Sequence, residues 1–151
     1  MLKEACFTPF LKDFGYEYNT LIGGRDMFKV INTDKAPAAI GPYSQALIHG
    51  DLLFASGQIP IIPESGQILD GDIKSQAHQV MKNIGAILSE AGTSYVNVIK
   101  TTCFLKDMKD FADFNEVYSQ YFTSKPARSC VAAQELPKNV DCEVEVIAVI
   151  R

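Results

Sequence analysis

Charged side chains inside otherwise apolar strands are the exceptions that point to chemistry. Arg128 lies in the run Ala127-Arg128-Ser129-Cys130-Val131-Ala132-Ala133, and Glu143 and Glu145 lie in Cys142-Glu143-Val144-Glu145-Val146. An arginine on a sheet presents a planar fork that grips a carboxylate through two parallel hydrogen bonds. A nearby glutamate orients water or moves a proton. The bland alternative is an internal ion pair between Arg128 and a glutamate on a wet sheet face, and spacing alone does not separate the two readings. Tyr43 follows Gly41-Pro42, either as a loop tyrosine reaching into a cleft or as a core aromatic. Ser56-Gly57-Gln58 closes an apolar run, where the glycine either admits a ligand to the backbone or marks a bulge. Cys130 has no histidine placed in sequence to activate it, so a packing role is favoured over a nucleophilic one.

Other site types find little support. The only histidines, His49 and His78, lie far apart, and Cys6, Cys103, Cys130 and Cys142 have neither metal-ligand nor redox spacing. No metal and no cofactor is expected. Neither the Walker spacing nor a strand-to-helix GxGxxG occurs. The balance of 14 basic against 18 acidic residues argues against a nucleic-acid partner. No apolar run approaches the roughly 20 residues that a membrane span needs, and reduced thiols without a secretory leader suit a cytoplasmic protein.

Elements to position these residues are legible from residue 27 onward. Phe28 to Ile31 reads as a first strand, and Gln45 to His49 with Leu52 to Ser56 reads as a hairpin around Gly50-Asp51. Ile73, Ala77, Val80, Met81, Ile84, Ile87, Leu88 and Ala91 trace the apolar face of a helix capped by Asp72 and stopped by Gly92. A strand over Val98 to Leu105, a helix over Phe111 to Phe122, and strands over Ala127 to Ala133 and Cys142 to Ile150 follow. The order β-ββ-α-β-α-β-β predicts an α+β fold, a mixed sheet with two helices on one face. Because the last strand alternates Cys142, Val144, Val146, Ala148 and Ile150 with Ile147 and Val149, both faces ask to be dry at its end. That predicts self-association through the sheet. Residues 1–26 differ in character: Thr8-Pro9 opens a short helical pattern of Phe7, Phe10, Leu11 and Phe14, read as an aromatic-rich arm appended to a domain over 27–151. The arm is expected to pack on the outer surface of a subunit and to be dispensable for chemistry.

The same residues carry a family likeness. APAAIGPYSQA (Ala36 to Ala46), SGQIP (Ser56 to Pro60), KTTCFLKDMKDF (Lys100 to Phe111), PARSCVA (Pro126 to Ala132) and CEVEVIAV (Cys142 to Val149) together resemble the RidA family over roughly four-fifths of the chain. The resemblance implies a chorismate-mutase-like fold assembled as a homotrimer, with active sites in the clefts between subunits. It also implies hydrolytic deamination of small, reactive 2-imino acids, the products of PLP-dependent dehydratases, to 2-keto acids and ammonia. By the same likeness Arg128 holds the substrate carboxylate, Glu143 is the acid-base group, and Tyr43, Ser56, Gly57, Gln58 and Cys130 line the pocket. Two other activities stay open: a ribonuclease or translation inhibitor, a label long attached to the family, and a non-catalytic chaperone-like or carboxylate-binding module. Two departures from the family pattern stand out. The connection Thr123-Ser124-Lys125-Pro126 is short, and the arm has no counterpart.

Overall fold

A computed structural model describes residues 28–150; the arm predicted over 1–26 lies outside the described residues. The strands are β1 (Lys29–Ile31), β2 (Ala46–His49), β3 (Leu52–Gln58), β4 (Val98–Leu105), β5 (Ala127–Ala132) and β6 (Cys142–Val149), and the long helices are α1 (Ile73–Glu90) and α2 (Phe111–Tyr121). The predicted element order holds, with boundaries moved by a residue or two.

Local chemistry explains the boundaries. The side chain of Asp72 accepts a hydrogen bond from the Ser75 amide at 2.8 Å, satisfying one of the orphan donors that open α1. Gly92 ends the helix with φ of +78°, and the amides of Gly92 and Thr93 return to the carbonyls of Ser89 and Leu88 in a Schellman motif. His49 pairs with Leu52 across the two-residue turn Gly50-Asp51, and a positive φ at Gly50 alone suits the twist of a hairpin.

The six strands form one mixed sheet in the order β1-β2-β3-β6-β4-β5. All neighbours are antiparallel except β4 and β5, which α2 links as a crossover. Both helices cover one face. There Val144, Val146 and Ala148 of β6 meet Val80, Met81, Ile84 and Leu88 of α1 and Phe114 and Val117 of α2 in the main core. A smaller core of Ile59, Ile61, Leu136 and Val140 closes one end. The other face carries Phe54, Ile99 and Val131, all exposed, with Ile147 and Val149 half-buried among them. Among the described residues no helix covers it, and only Phe104 at one end packs against the smaller core. No helix in the described region is long and apolar enough to cross a membrane.

Candidate functional site

Arg128 projects from edge strand β5 toward α2. Its strand partner is Thr101, which is wholly buried on the helix face and whose hydroxyl meets the Tyr118 hydroxyl at 2.9 Å. Tyr118 so fixed supports the guanidinium, whose centre lies 4.5 Å from that ring and 5.5 Å from the ring of Phe111. Asn115 accepts a hydrogen bond from Arg128 Nη1 at 2.8 Å. One of the five donors of the fork is thereby committed, and Nη2 and Nε have no partner among the described residues. The side chain is held in one place with its carboxylate-binding edge unspent. Cys130 sits two residues along on the same face, half-buried against the core; burial pushes its thiol up, with Arg128 opposing. A thiol so raised is a poor nucleophile.

Glu143 faces the other way. Its partner on β4 is Phe104, of opposite parity to Thr101, so Glu143 and Glu145 stand on the face that the helices leave bare. With β4 between β5 and β6, two strand spacings of about 4.8 Å each separate the strands that carry Arg128 and Glu143. The internal Arg128–glutamate ion pair considered from sequence does not form. The ion pairs among the described residues are those of Lys74 with Asp113 and Glu116, Lys106 with Asp141, and Lys109 with Asp107. The two charges singled out in the sequence therefore belong to different faces of one sheet.

Gly57 decides where the Glu143 carboxylate lies. The β3–β6 register slips between Ala55 and Gln58, so the SGQ segment is a bulge. A Cβ on Gly57 would overlap Glu143 Oε1 and stand 2.8 Å from its Cδ. The bulge reading holds, and the space opened by this glycine is filled by the protein's own carboxylate. Burial, and then the neighbouring charge of Glu145, raise the Glu143 carboxyl above the usual carboxylate range. Glu145→Gln removes the like charge and is expected to move the acidic limb of any Glu143-dependent pH–rate profile to lower pH. An unmoved limb would show that burial alone sets it.

Tyr43 is 48% exposed, with its hydroxyl accepting from the Ile40 amide at 3.4 Å. With Pro37, Ile40, Gly57, Gln58 and Ile59 it lines a small cleft, so the loop reading holds and the core reading does not. Ser56 and Gln58 are turned to the scaffold. The Ser56 hydroxyl donates to the Ser44 carbonyl at 2.7 Å, and the buried Gln58 amide donates to the carbonyls of Ser56 and Gly57. One chain thus groups Tyr43, Ser56, Gly57, Gln58 and Glu143 on one side of the molecule and Arg128 with Cys130 on another. Asn115, Phe111 and Tyr118 join the arginine group. Tyr118 falls within the helix predicted over Phe111 to Phe122, but nothing in sequence marked it or Asn115 as holding Arg128.

The sequence profile of the endoribonuclease L-PSP family matches residues 33–150. The chain belongs to this family. The L-PSP family is the one that the RidA likeness indicated. Within it, the chain is 57% identical over 121 residues to a RutC family protein of Pyrococcus abyssi, covering 80% of this chain and 95% of the relative. It is 47% identical to human 2-iminobutanoate/2-iminopropanoate deaminase, over 80% of this chain and 89% of the human one. The solved structure of Escherichia coli TdcF with bound serine matches with a TM-score of 0.78 at 46% identity, covering 82% of this chain and 99% of that one. The mixed α+β sheet with its two helices is thus the L-PSP architecture.

Proposed function

We propose that this L-PSP family protein hydrolyses small 2-imino acids to 2-keto acids and ammonia, in clefts between the subunits of a homotrimer. The observation that carries the reading is Arg128, clamped by Asn115, Tyr118 and Phe111 with its outer donors unspent. A fork held in this way recognises a carboxylate at little entropic cost. Relatives named as an imine deaminase, and one solved with serine bound, a small amino acid carrying such a carboxylate, support it.

Arg128 and Glu143 cannot meet one small substrate within a single chain, since they point to opposite faces. A second copy supplies the missing half when the bare apolar face packs against a neighbour and the edge strand β5 of one chain approaches the SGQ bulge of the next. In that cleft Arg128 fixes the carboxylate and so the imine carbon. Glu143 takes a proton from water as its oxygen adds to that carbon. That proton passes to the nitrogen to complete the carbinolamine. Glu143 then takes the hydroxyl proton and hands it to the nitrogen as the C–N bond breaks, so that the carbonyl forms and ammonia leaves. One water is consumed and no cofactor enters. Tyr43 and the backbone at Gly57 and Cys130 hold the imine nitrogen and the water.

Two measurements test the reading. Light scattering at micromolar concentration is expected to give about three chain masses, and a monomer would dismantle the cleft. In a coupled assay, a PLP-dependent dehydratase generates the imine in the presence of semicarbazide. Adding this protein is expected to suppress the semicarbazone, and an unchanged yield would overturn the activity. RNA cleavage needs a basic groove, whereas the chain carries 14 basic against 18 acidic residues. Purified protein is therefore expected to leave RNA intact.

A further inference from the structure

Gln45 is a polar side chain only 2% exposed, and its amide makes more hydrogen bonds than a packing role requires. Its Oε1 accepts from the Thr33 amide at 2.7 Å, while Nε2 donates to the carbonyls of Thr33 at 3.0 Å, Ala36 at 3.3 Å and Pro37 at 2.8 Å. The β1–β2 ladder ends at the pair Ile31 and Ala46, immediately before this point. By bonding both the N–H and the C=O of Thr33, the side-chain amide continues the ladder where the backbones part. It thereby satisfies carbonyls of a loop in which Pro37 and Pro42 lack backbone donors of their own.

The backbone of the same residue is tied to β3, since the Gln45 carbonyl accepts from the Ser56 amide at 3.0 Å. Both ends of the loop over 33–43 are therefore pinned at one residue, beside the bulge that seats Glu143. Tyr43 stands two residues from it and faces the cleft that Gln45 also lines. We infer that Gln45 is a positioning residue, which holds the 33–43 loop so that the Tyr43 hydroxyl is presented to the cleft. The inference rests on the proposed role of Tyr43 in imine hydrolysis.

Gln45→Glu keeps the shape and the acceptor but removes both N–H donors. Gln45→Met removes all polarity and serves if the buried carboxylate prevents folding. In variants that melt as the wild type does, backbone amide exchange over 33–43 is expected to rise about tenfold, with α1 unchanged. The value of kcat should fall by about tenfold, the equivalent of one lost hydrogen bond, with a smaller change in KM. In Gln45→Glu the loss should shrink as pH is lowered, because a protonated carboxyl regains a donor. In a Tyr43→Phe background the substitution should cost nothing further. Multiplying losses in the double variant, a silent Tyr43→Phe, or unchanged exchange in the loop would each overturn the inference. Should the wild-type chain leave imines untouched, the deaminase reading falls separately. The same cycle is then read from 2-ketobutyrate affinity by calorimetry, where coupling supports the positioning role and additivity overturns it.

Discussion

Arg128→Ala is expected to lower kcat/KM for imine hydrolysis by about a hundredfold or more, while the fold and the assembly persist. A bidentate carboxylate contact is two charge-assisted hydrogen bonds, each worth about 1.5–3 kcal/mol, and each 1.4 kcal/mol is about tenfold in rate. The scaffold beneath the guanidinium survives the change, because Tyr118 remains bonded to Thr101 and packed against Phe114 and Phe122. Arg128→Lys should rescue poorly. An ammonium cannot span both oxygens, nor lie flat against Tyr118 while bonding Asn115. Cys130→Ser serves as the control, since that position is assigned a backbone role and its thiol is held protonated; it should cost far less. Near-normal hydrolysis by Arg128→Ala, measured in the semicarbazide competition, would remove the carboxylate anchor and the functional assignment with it.

Glu143→Gln is nearly isosteric and removes the base, so turnover should fall by about a hundredfold to ten-thousandfold with carboxylate binding retained. Gly57→Ala should fall as far for a different reason. The added methyl occupies the place of the Glu143 carboxylate, and the far end of a flexible side chain swings away where a backbone could not. The fold then persists while the base is displaced. Melting curves should separate the two variants further. Because burial raises the Glu143 carboxyl, the folded state favours its neutral form. Stability from this group is present below its unfolded value and is lost as pH rises through its folded one. At neutral pH the ionised carboxylate weighs against folding, so Glu143→Gln should melt no lower than the wild type, and any advantage should vanish in acid. A Gly57→Ala protein with full turnover, or a Glu143→Gln protein that melts lower at neutral pH, would contradict this account.

Local rules reached far into this chain. The caps of α1, the hairpin at Gly50-Asp51 and the alternation of β6 were each read from neighbouring residues, because the forces involved act within a few positions. The parity of Arg128 was not readable in that way. Which face a side chain on β5 takes relative to one on β6 depends on the register of each strand with β4, and register is set by tertiary packing. The same holds for Asn115, an ordinary polar residue on the exposed side of a helical pattern until β5 docks beside it. Gly57 was noticed as a glycine in a strand, yet its neighbour Glu143 lies 86 positions away in sequence. The family likeness pointed to the residues of the candidate site, and the sheet divides them between two surfaces.

That division has a genetic corollary. If every cleft takes its arginine from one chain and its glutamate from the next, a lesion at Arg128 and a lesion at Glu143 do not spoil the same half. Two inactive alleles co-expressed in one cell should therefore complement. In assemblies formed at random from Arg128→Ala and Glu143→Gln chains, roughly one cleft in four draws an intact half from each side. About a quarter of normal turnover should reappear from a mixture whose components each keep about a hundredth or less, and only when subunits are exchanged before the assay. Two alleles that each remove Arg128 should never rescue one another. A heterozygote carrying one lesion of each kind should accordingly resemble a partial loss of function and not a null.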